Sequence, residues 1–588
     1  MPTTDWRTEL RQAVTIARAT FGGFLQSDIM PQGLQASAII WAAAFLAAPT
    51  LFLSAQGLAK YALLQRYMPH LVERVLWDDR GLFILLSAGS IGLVCVVTWD
   101  TLFPMRRDVF VLGSLPLPTR VQAVGRLGGL FALFVAFAAA LNVIAALTFS
   151  MASALRIEAA VRGVPAHLAA TVAADAFVFF GLTTIQGVLL VCFSRRVAER
   201  FAPILQMLTV VAVLLALLFE EVLRSATAAA LQRGDIGDPF LRWFPLAWFL
   251  GIYELLAGTS RPIMVWLGLR GAFWSVTPLL MTVALYVFAF RRLCARAMET
   301  SARSASFPLF RFVSATIRKL LVRHPTEQAV CAFTLRVLAR SRRHRMLMAI
   351  YVGGALALIA TSVLPLILEP DAAAVARPTA GLLAPPLILS AALAVGFRAL
   401  IAIPVDLPAR WVFRTCSLTP LRVGGGLHKA GLLVVVLPVA LTAWIPAAAL
   451  WNTAMAWRHA LFCTTLSVLL LELLLMRFSG VPFAKQYIPG SSRFHMLWPF
   501  YLTCFLTYTY TAAAGERELL RDGGLSGAVI FLGSAAIAAA SARWWSLWHA
   551  PELSFDADIP DAMFQGFNLS EGVAAHAVAT RHASGSSA

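Results

Sequence analysis

The chain has 588 residues, 59% of them hydrophobic and 13% charged, with a formal net charge of +18 and a mean hydropathy of +0.76. An average soluble domain carries roughly 25% charged residues, so no large soluble domain fits outside the apolar stretches. The positive excess divides unevenly between alternate connecting segments while the acids divide evenly, which is a positive-inside bias and not a nucleic-acid footprint.

Before the first apolar stretch, Trp6, Leu10, Val14, Ala17, Phe21 and Leu25 recur at three- to four-residue spacing, with Arg7, Arg11 and Arg18 largely off that stripe. Residues 1–33 are therefore expected to form an amphipathic helix lying in the membrane interface; a soluble helix packed on a cytoplasmic loop is the plainer alternative. No small-residue cleavage site follows the interrupted apolar run, so a secretory signal is not expected.

A spanning helix needs roughly 20 mostly apolar residues, because lipid cannot satisfy exposed backbone groups. Stretches of that kind lie at 34–56, 81–98, 127–150, 168–193, 201–219 and 271–290, and again at 346–368, 382–397, 427–450, 454–476, 496–514 and 524–542. The expected fold is an all-α polytopic membrane protein with about 12 transmembrane helices in two six-helix halves. The units are residues 34–290 and 346–545, joined by a basic cytoplasmic linker, 291–345, and followed by a partly disordered cytoplasmic tail, 546–588. A cytoplasmic N-terminus puts about two thirds of the 48 Lys and Arg inside, the linker's among them, so both termini are placed in the cytoplasm. Within the linker a short helix is expected at 310–321, and Arg336, Arg340, Arg342, Arg343 and Arg345, with His344 among them, form a cluster that would anchor the second unit to anionic headgroups.

Two loops repeat. Residues 114–129 read SLPLPTRVQAVGRLGG and residues 416–431 read CSLTPLRVGGGLHKAG, so that at an offset of 302 Pro118, Arg120, Val121 and Gly129 fall on Pro420, Arg422, Val423 and Gly431. Both loops sit between the second and third spans of their unit. An even number of spans per unit would relate the copies by an axis along the membrane normal.

Chemistry is sparse. Lys60, Lys319, Lys429 and Lys485 are the only lysines, none follows a glycine, and a phosphate-binding loop ending in Gly-Lys-Ser/Thr is therefore excluded from this sequence. The seven cysteines fall in spans or cytoplasmic segments without CxxC spacing, so neither disulfides nor a metal are expected. No HExxH, no GxSxG and no clustered His/Asp pair suggests an enzyme. The intramembrane acids are Asp175, near the external end of its span, and Glu472, near the cytoplasmic end; either proton coupling or a structural role, snorkelling to water or neutral among helices, would explain them. Trp444, Trp451 and Trp457 around a short external turn read as an aromatic belt.

An interfacial helix, six spans, a Leu-Pro-rich turn with a short helix between spans two and three, and a polar break before span six together resemble the permease subunit of ABC-2 type exporters. The segment FPLAWFLGIYELLAG at 244–258 is similar to the half-inserted external helices of that family, with Phe244, Pro245, Trp248 and Glu254 as its candidate residues. The stretches LARSRRHRMLMAIYVGG at 338–354 and VPFAKQYIPG at 481–490 resemble large bacterial permeases that look like two such units fused. The resemblance implies a non-enzymatic component of an ATP-driven exporter in a bacterial cytoplasmic (inner) membrane. Its partners would be ABC ATPase subunits, which bring ATP and Mg, and membrane lipids; no nucleic acid and no cofactor of its own would be bound. It also implies that Leu115, Pro116, Pro118 and Arg120, and Pro420 and Arg422, dock the ATPase; ordinary turn prolines and positive-inside arginines are the alternative. A secondary transporter, or a non-transporting scaffold of the same fold, remain the other readings of the whole chain.

Overall fold

The computed structural model describes residues 6–25, 50–57, 60–99, 101–154, 157–235, 237–259, 261–299, 324–368, 377–403, 419–476, 478, 481–483, 494–521 and 525–548. Every regular element among them is helical. In chain order they are α1 (Trp6–Leu25), a 3-10 turn (Pro69–Leu71) leading into α2 (Val72–Val97), α3 (Arg106–Gly113), α4 (Thr119–Ser153), α5 (Ile157–Cys192) and α6 (Arg195–Leu218). Then come α7 (Glu220–Arg233), α8 (Pro239–Trp243), α9 (Pro245–Ala257), α10 (Pro262–Phe288), α11 (Phe290–Met298), α12 (Pro325–Arg340), α13 (Arg342–Leu368) and α14 (Ala380–Leu400). Finally α15 (Pro420–Gly431) passes through a π turn (Leu432–Val436) into α16 (Leu437–Leu450), and α17 (Thr453–Leu475), α18 (Phe494–Arg521) and α19 (Leu525–Trp548) close the fold.

Among the described residues nine helical segments are long and apolar enough to cross a membrane. They coincide with nine of the twelve expected stretches. Of the other three, 34–56 lies largely outside the described residues, while 496–514 and 524–542 fall on α18 and α19, which are not among the nine. The expected helix at 310–321 and most of the expected tail also lie outside the described residues.

The solvent around these helices is legible from α4. Leu130, Leu133, Ala138, Leu141, Ala145 and Phe149 are buried on one face, yet Val124, Phe131, Val135, Val143, Leu147 and Met151 stand exposed at helical spacing on the other. A helix apolar all round is stable only where both faces avoid water, so the outer face lies against lipid. The chain is a multi-pass, all-helical membrane protein.

Buried side chains segregate along the sequence. One apolar cluster draws its buried members from residues 331–513, whereas the buried members of the other clusters all lie between residues 13 and 293. The two regions meet where α13 packs along α6, with Gly353 placed so that a β-carbon would stand 3.2 Å from the Met207 carbonyl oxygen. Small residues at such crossings let backbones approach closely enough for dispersion to hold helices together in lipid.

In the first region α9 is almost wholly enclosed. Proline at its first position and Gly258, at φ 99° just past its end, fix its limits. Leu246 through Glu254 are all buried, against α5, α2 and α10. At 13 residues this helix is too short to span.

Candidate functional site

The two repeated loops fold into the same kind of clamp. In the first, α1 lies across the start of α4, where Gly125 and Gly129, four residues apart, form a groove without side chains. A β-carbon at Gly125 would stand 2.7 Å from Ile16 Cβ, and one at Gly129 would stand 2.7 Å from Thr20 Cβ. Ala13 and Ile16 are thereby buried, whereas Trp6, Leu10 and Val14 remain exposed on the adjacent face, with Arg7, Arg11 and Arg18 in the open. Of the apolar stripe expected from sequence, Trp6, Leu10 and Val14 face outward and Ala17 and Phe21 are half-buried, while the most deeply buried contacts with α4, Ala13 and Ile16, lie beside that stripe.

The loop beside it is held by short-range bonds. Gln122 Nε2 donates to the Leu117 carbonyl at 3.2 Å, Asp108 accepts from the Met105 amide at 3.0 Å, and Arg126, buried, forms an ion pair with Asp108. Pro118 is the last residue before α4, so its fixed φ sets the helix start. Leu115, Pro116 and Arg120 are exposed and Pro118 is half-buried. Arg120 Nη2 lies 2.5 Å from Glu9 Oε1, so its nearest acid is on α1.

In the second clamp α12 takes the place of α1 and lies across α15. Gly426 would put a β-carbon 2.7 Å from the Glu327 carbonyl oxygen and 2.7 Å from Val330 Cβ. Pro420 is the first residue of α15. Arg422 Nη1 lies 3.0 Å from Glu327 Oε1 and Lys429 Nζ lies 2.5 Å from its Oε2. Each repeated arginine therefore meets a glutamate on the amphipathic helix that the glycines admit, an internal partner that sequence reading did not supply. Helix α12, with Glu327, falls within the stretch 291–345, whose basic composition reads as a linker.

Burial works against ionisation of Glu327, but hydrogen bonds and charge from Lys429 and Arg422 outweigh it and hold the carboxyl below its ordinary value of 4.5. A depressed pKa contributes stability that is complete above the unfolded value and is lost as pH falls through the folded one. Wild type and Glu327→Gln are expected to differ in thermal midpoint at neutral pH, and to converge as the pH is lowered below about 4. Melting curves across that range check this; a constant difference down to acid pH would contradict it.

His344 departs from expectation. It is buried, with Nδ1 2.7 Å from Ser341 Oγ, Nε2 3.2 Å from the Ile403 carbonyl oxygen, and its ring edge-on to Phe483. It braces the chain where α12, α13 and the end of α14 meet, apart from the exposed Arg336 and Arg340. Phe483, at φ 62°, donates its amide to the Ile401 carbonyl at 2.9 Å and completes that brace.

At the other end of the first region lies the candidate re-entrant helix. Phe244 is the residue before α9 and stacks on Phe240; Pro245 begins the helix; Trp248 Nε1 donates to the Leu241 carbonyl at 3.0 Å. Glu254, 4% exposed, forms an ion pair with Arg80 of α2 and accepts from Thr259 Oγ1 at 2.9 Å. The Arg80 guanidinium lies over the Tyr253 ring, 4.3 Å from its centroid.

The intramembrane acids are both buried. Asp175 does not sit near a helix end: α5 extends to Ile157, past the apolar window, and leaves Asp175 at the middle of a 36-residue helix. Its carboxylate is wholly buried and accepts from Ser87 Oγ at 2.8 Å and Asn142 Nδ2 at 2.7 Å, joining α2, α4 and α5. Glu472 is also buried; His428 Nδ1 approaches it to 2.5 Å, off the line of a well-directed hydrogen bond, and Arg543 to 3.9 Å. Neither acid snorkels. A third, Glu516, is buried beside His459, a His–acid pair that residues 57 positions apart could not announce.

Comparison of the chain with protein-family models, with curated proteins and with solved structures gives no match.

Proposed function

We propose that this chain is the membrane-spanning permease component of an ATP-driven, ABC-2 type exporter, working with a separate ATPase subunit that supplies ATP and Mg. Its spans would number twelve, six in each of two fused units, in a bacterial inner membrane with both termini cytoplasmic. The observation that carries this reading is the repeated clamp. In each half an amphipathic helix lies across glycines at the start of a long apolar helix, and an arginine of the Pro-x-Arg turn pairs with a glutamate of that helix. A rigid two-helix corner of this kind can pass a push at its surface into the attached span, which is what coupling to an external motor needs. Leu115, Pro116 and Leu421 supply exposed surface beside the two corners. The arginines act by keeping the corner closed as much as by reaching a partner.

Affinity purification of the tagged chain from its native membrane tests this. An ATPase subunit is expected to remain bound to the wild type and to be lost when Pro118, Arg120, Pro420 and Arg422 are replaced together. Retention through that change would remove the docking assignment, and transport without ATP would remove the exporter reading.

One observation favours a second reading, a cation-coupled secondary carrier: Asp175 is a wholly buried ionisable group inside a helix long and apolar enough to span, and such carriers use buried intramembrane acids. Gradient-driven flux in vesicles holding this chain alone, abolished by Asp175→Asn, would select it.

A further inference from the structure

Helix α17 carries His459 and Cys463 four residues apart, on one face and one turn of helix. Glu516 of α18 meets that face. Their relative exposures are 2%, 0% and 1%. Glu516 Oε1 lies 2.6 Å from His459 Nδ1, and Cys463 Sγ lies 3.7 Å from the same nitrogen. One potential ligand atom from each residue falls within 4.8 Å of the other two. The second carboxylate oxygen of Glu516, Oε2, is buried without a hydrogen-bond partner.

We propose that His459, Cys463 and Glu516 bind a single zinc-class divalent cation that ties α17 to α18. Tetrahedral zinc with bonds of about 2.0 Å to nitrogen and 2.3 Å to sulfur separates those two ligands by roughly 3.5 Å. The observed 3.7 Å between Nδ1 and Sγ fits with almost no movement. Tetrahedral zinc also separates nitrogen from oxygen by roughly 3.3 Å, so Glu516 has to open its 2.6 Å approach to His459, or present Oε2, the oxygen that otherwise has no partner. Charge supports the assignment. A thiolate and a carboxylate cancel the two positive charges of the ion and the imidazole adds none, so the loaded site is neutral, which is the cheapest state for ionic groups among apolar helices. Binding releases the thiol proton and any proton shared by the His–Glu pair to solvent, with no change of oxidation state.

The donor set chooses the metal. Calcium and magnesium require six or more oxygen ligands, whereas thiolate with imidazole and one carboxylate suits zinc. Three protein ligands leave a fourth position for water. The immediate surroundings are apolar: Ala460, Phe462 and Ala513 are buried, and the Trp451 ring lies edge-on to His459, 6.3 Å away. The neighbouring Arg458, Arg517 and Glu518 are exposed. This site is independent of the exporter reading, since neither clamp contributes to it.

The full chain, purified in detergent with a tag free of histidine, is dialysed against zinc chloride and then metal-free buffer, and its metal content is measured. About one zinc per chain is expected. Cys463→Ser and Glu516→Gln are each expected to weaken binding about tenfold or more, while Cys192→Ser and Cys504→Ser, which alter exposed cysteines, leave it unchanged. Cobalt(II) then reports on the wild type itself: a tetrahedral visible spectrum with a sulfur-to-metal charge-transfer band in the near ultraviolet requires a Cys–Co bond. Absence of that band, binding far below one ion per chain, or binding undiminished by Cys463→Ser would overturn the site, whether or not any variant folds poorly.

Discussion

Replacing Glu254 by alanine is expected to destabilise the protein by about 3–5 kcal/mol, because it leaves the Arg80 guanidinium enclosed without its counter-charge. The side chains of Arg80 and Glu254 are 15% and 5% exposed, so water replaces the lost partner poorly. Stacking on Tyr253 retains part of the cation's stabilisation but cannot neutralise it. Removing both charges together, as Arg80→Met with Glu254→Leu, is expected to recover most of the loss, since the desolvation cost of the pair vanishes with the pair. Thermal unfolding in detergent of the wild type, Arg80→Met, Glu254→Leu and the double variant completes the cycle. Additive losses, with the double variant the least stable, would show that the two groups act separately.

Gly251→Ala should cost about 1–3 kcal/mol or more, although it adds a single methyl group. A β-carbon there would stand 2.5 Å from the Gly268 backbone nitrogen and 2.6 Å from Leu267 Cβ. Backbone cannot swing aside as a side-chain tip can, so α9 and α10 must separate along the face where they pack closest. Gly181 in α5 provides the control, because nothing lies within 4 Å of its added carbon. Gly181→Ala is expected to leave stability within about 0.5 kcal/mol of wild type. Equal effects at the two positions would mean that the α9–α10 crossing is not close-packed in solution. Both predictions concern α9, the short buried helix whose sequence resembles the half-inserted external helices of ABC-2 permeases.

The apolar windows located nine helices, because lipid imposes composition directly on the sequence. Their ends were less legible. The window 127–150 became Thr119–Ser153 and the window 168–193 became Ile157–Cys192, since a helix continues through polar residues wherever its backbone bonds are unbroken. That extension is why Asp175 moved from a helix end to a helix middle. The loop repeat was readable as Pro118, Arg120 and Gly129 against Pro420, Arg422 and Gly431, but its meaning was not: the glutamates that meet the arginines lie about a hundred residues away in sequence.

By itself, then, the sequence determined what the chain is made for, a lipid environment crossed many times, and which loops repeat, since hydrophobic length and local proline and glycine placement are properties of contiguous residues. Tertiary structure alone decided which polar groups meet inside: Asp175 with Ser87 and Asn142, Glu254 with Arg80, and Glu516 with His459 and Cys463. Such pairs form between helices distant in the chain, where burial makes an unpartnered polar group expensive but leaves no periodicity to name its partner.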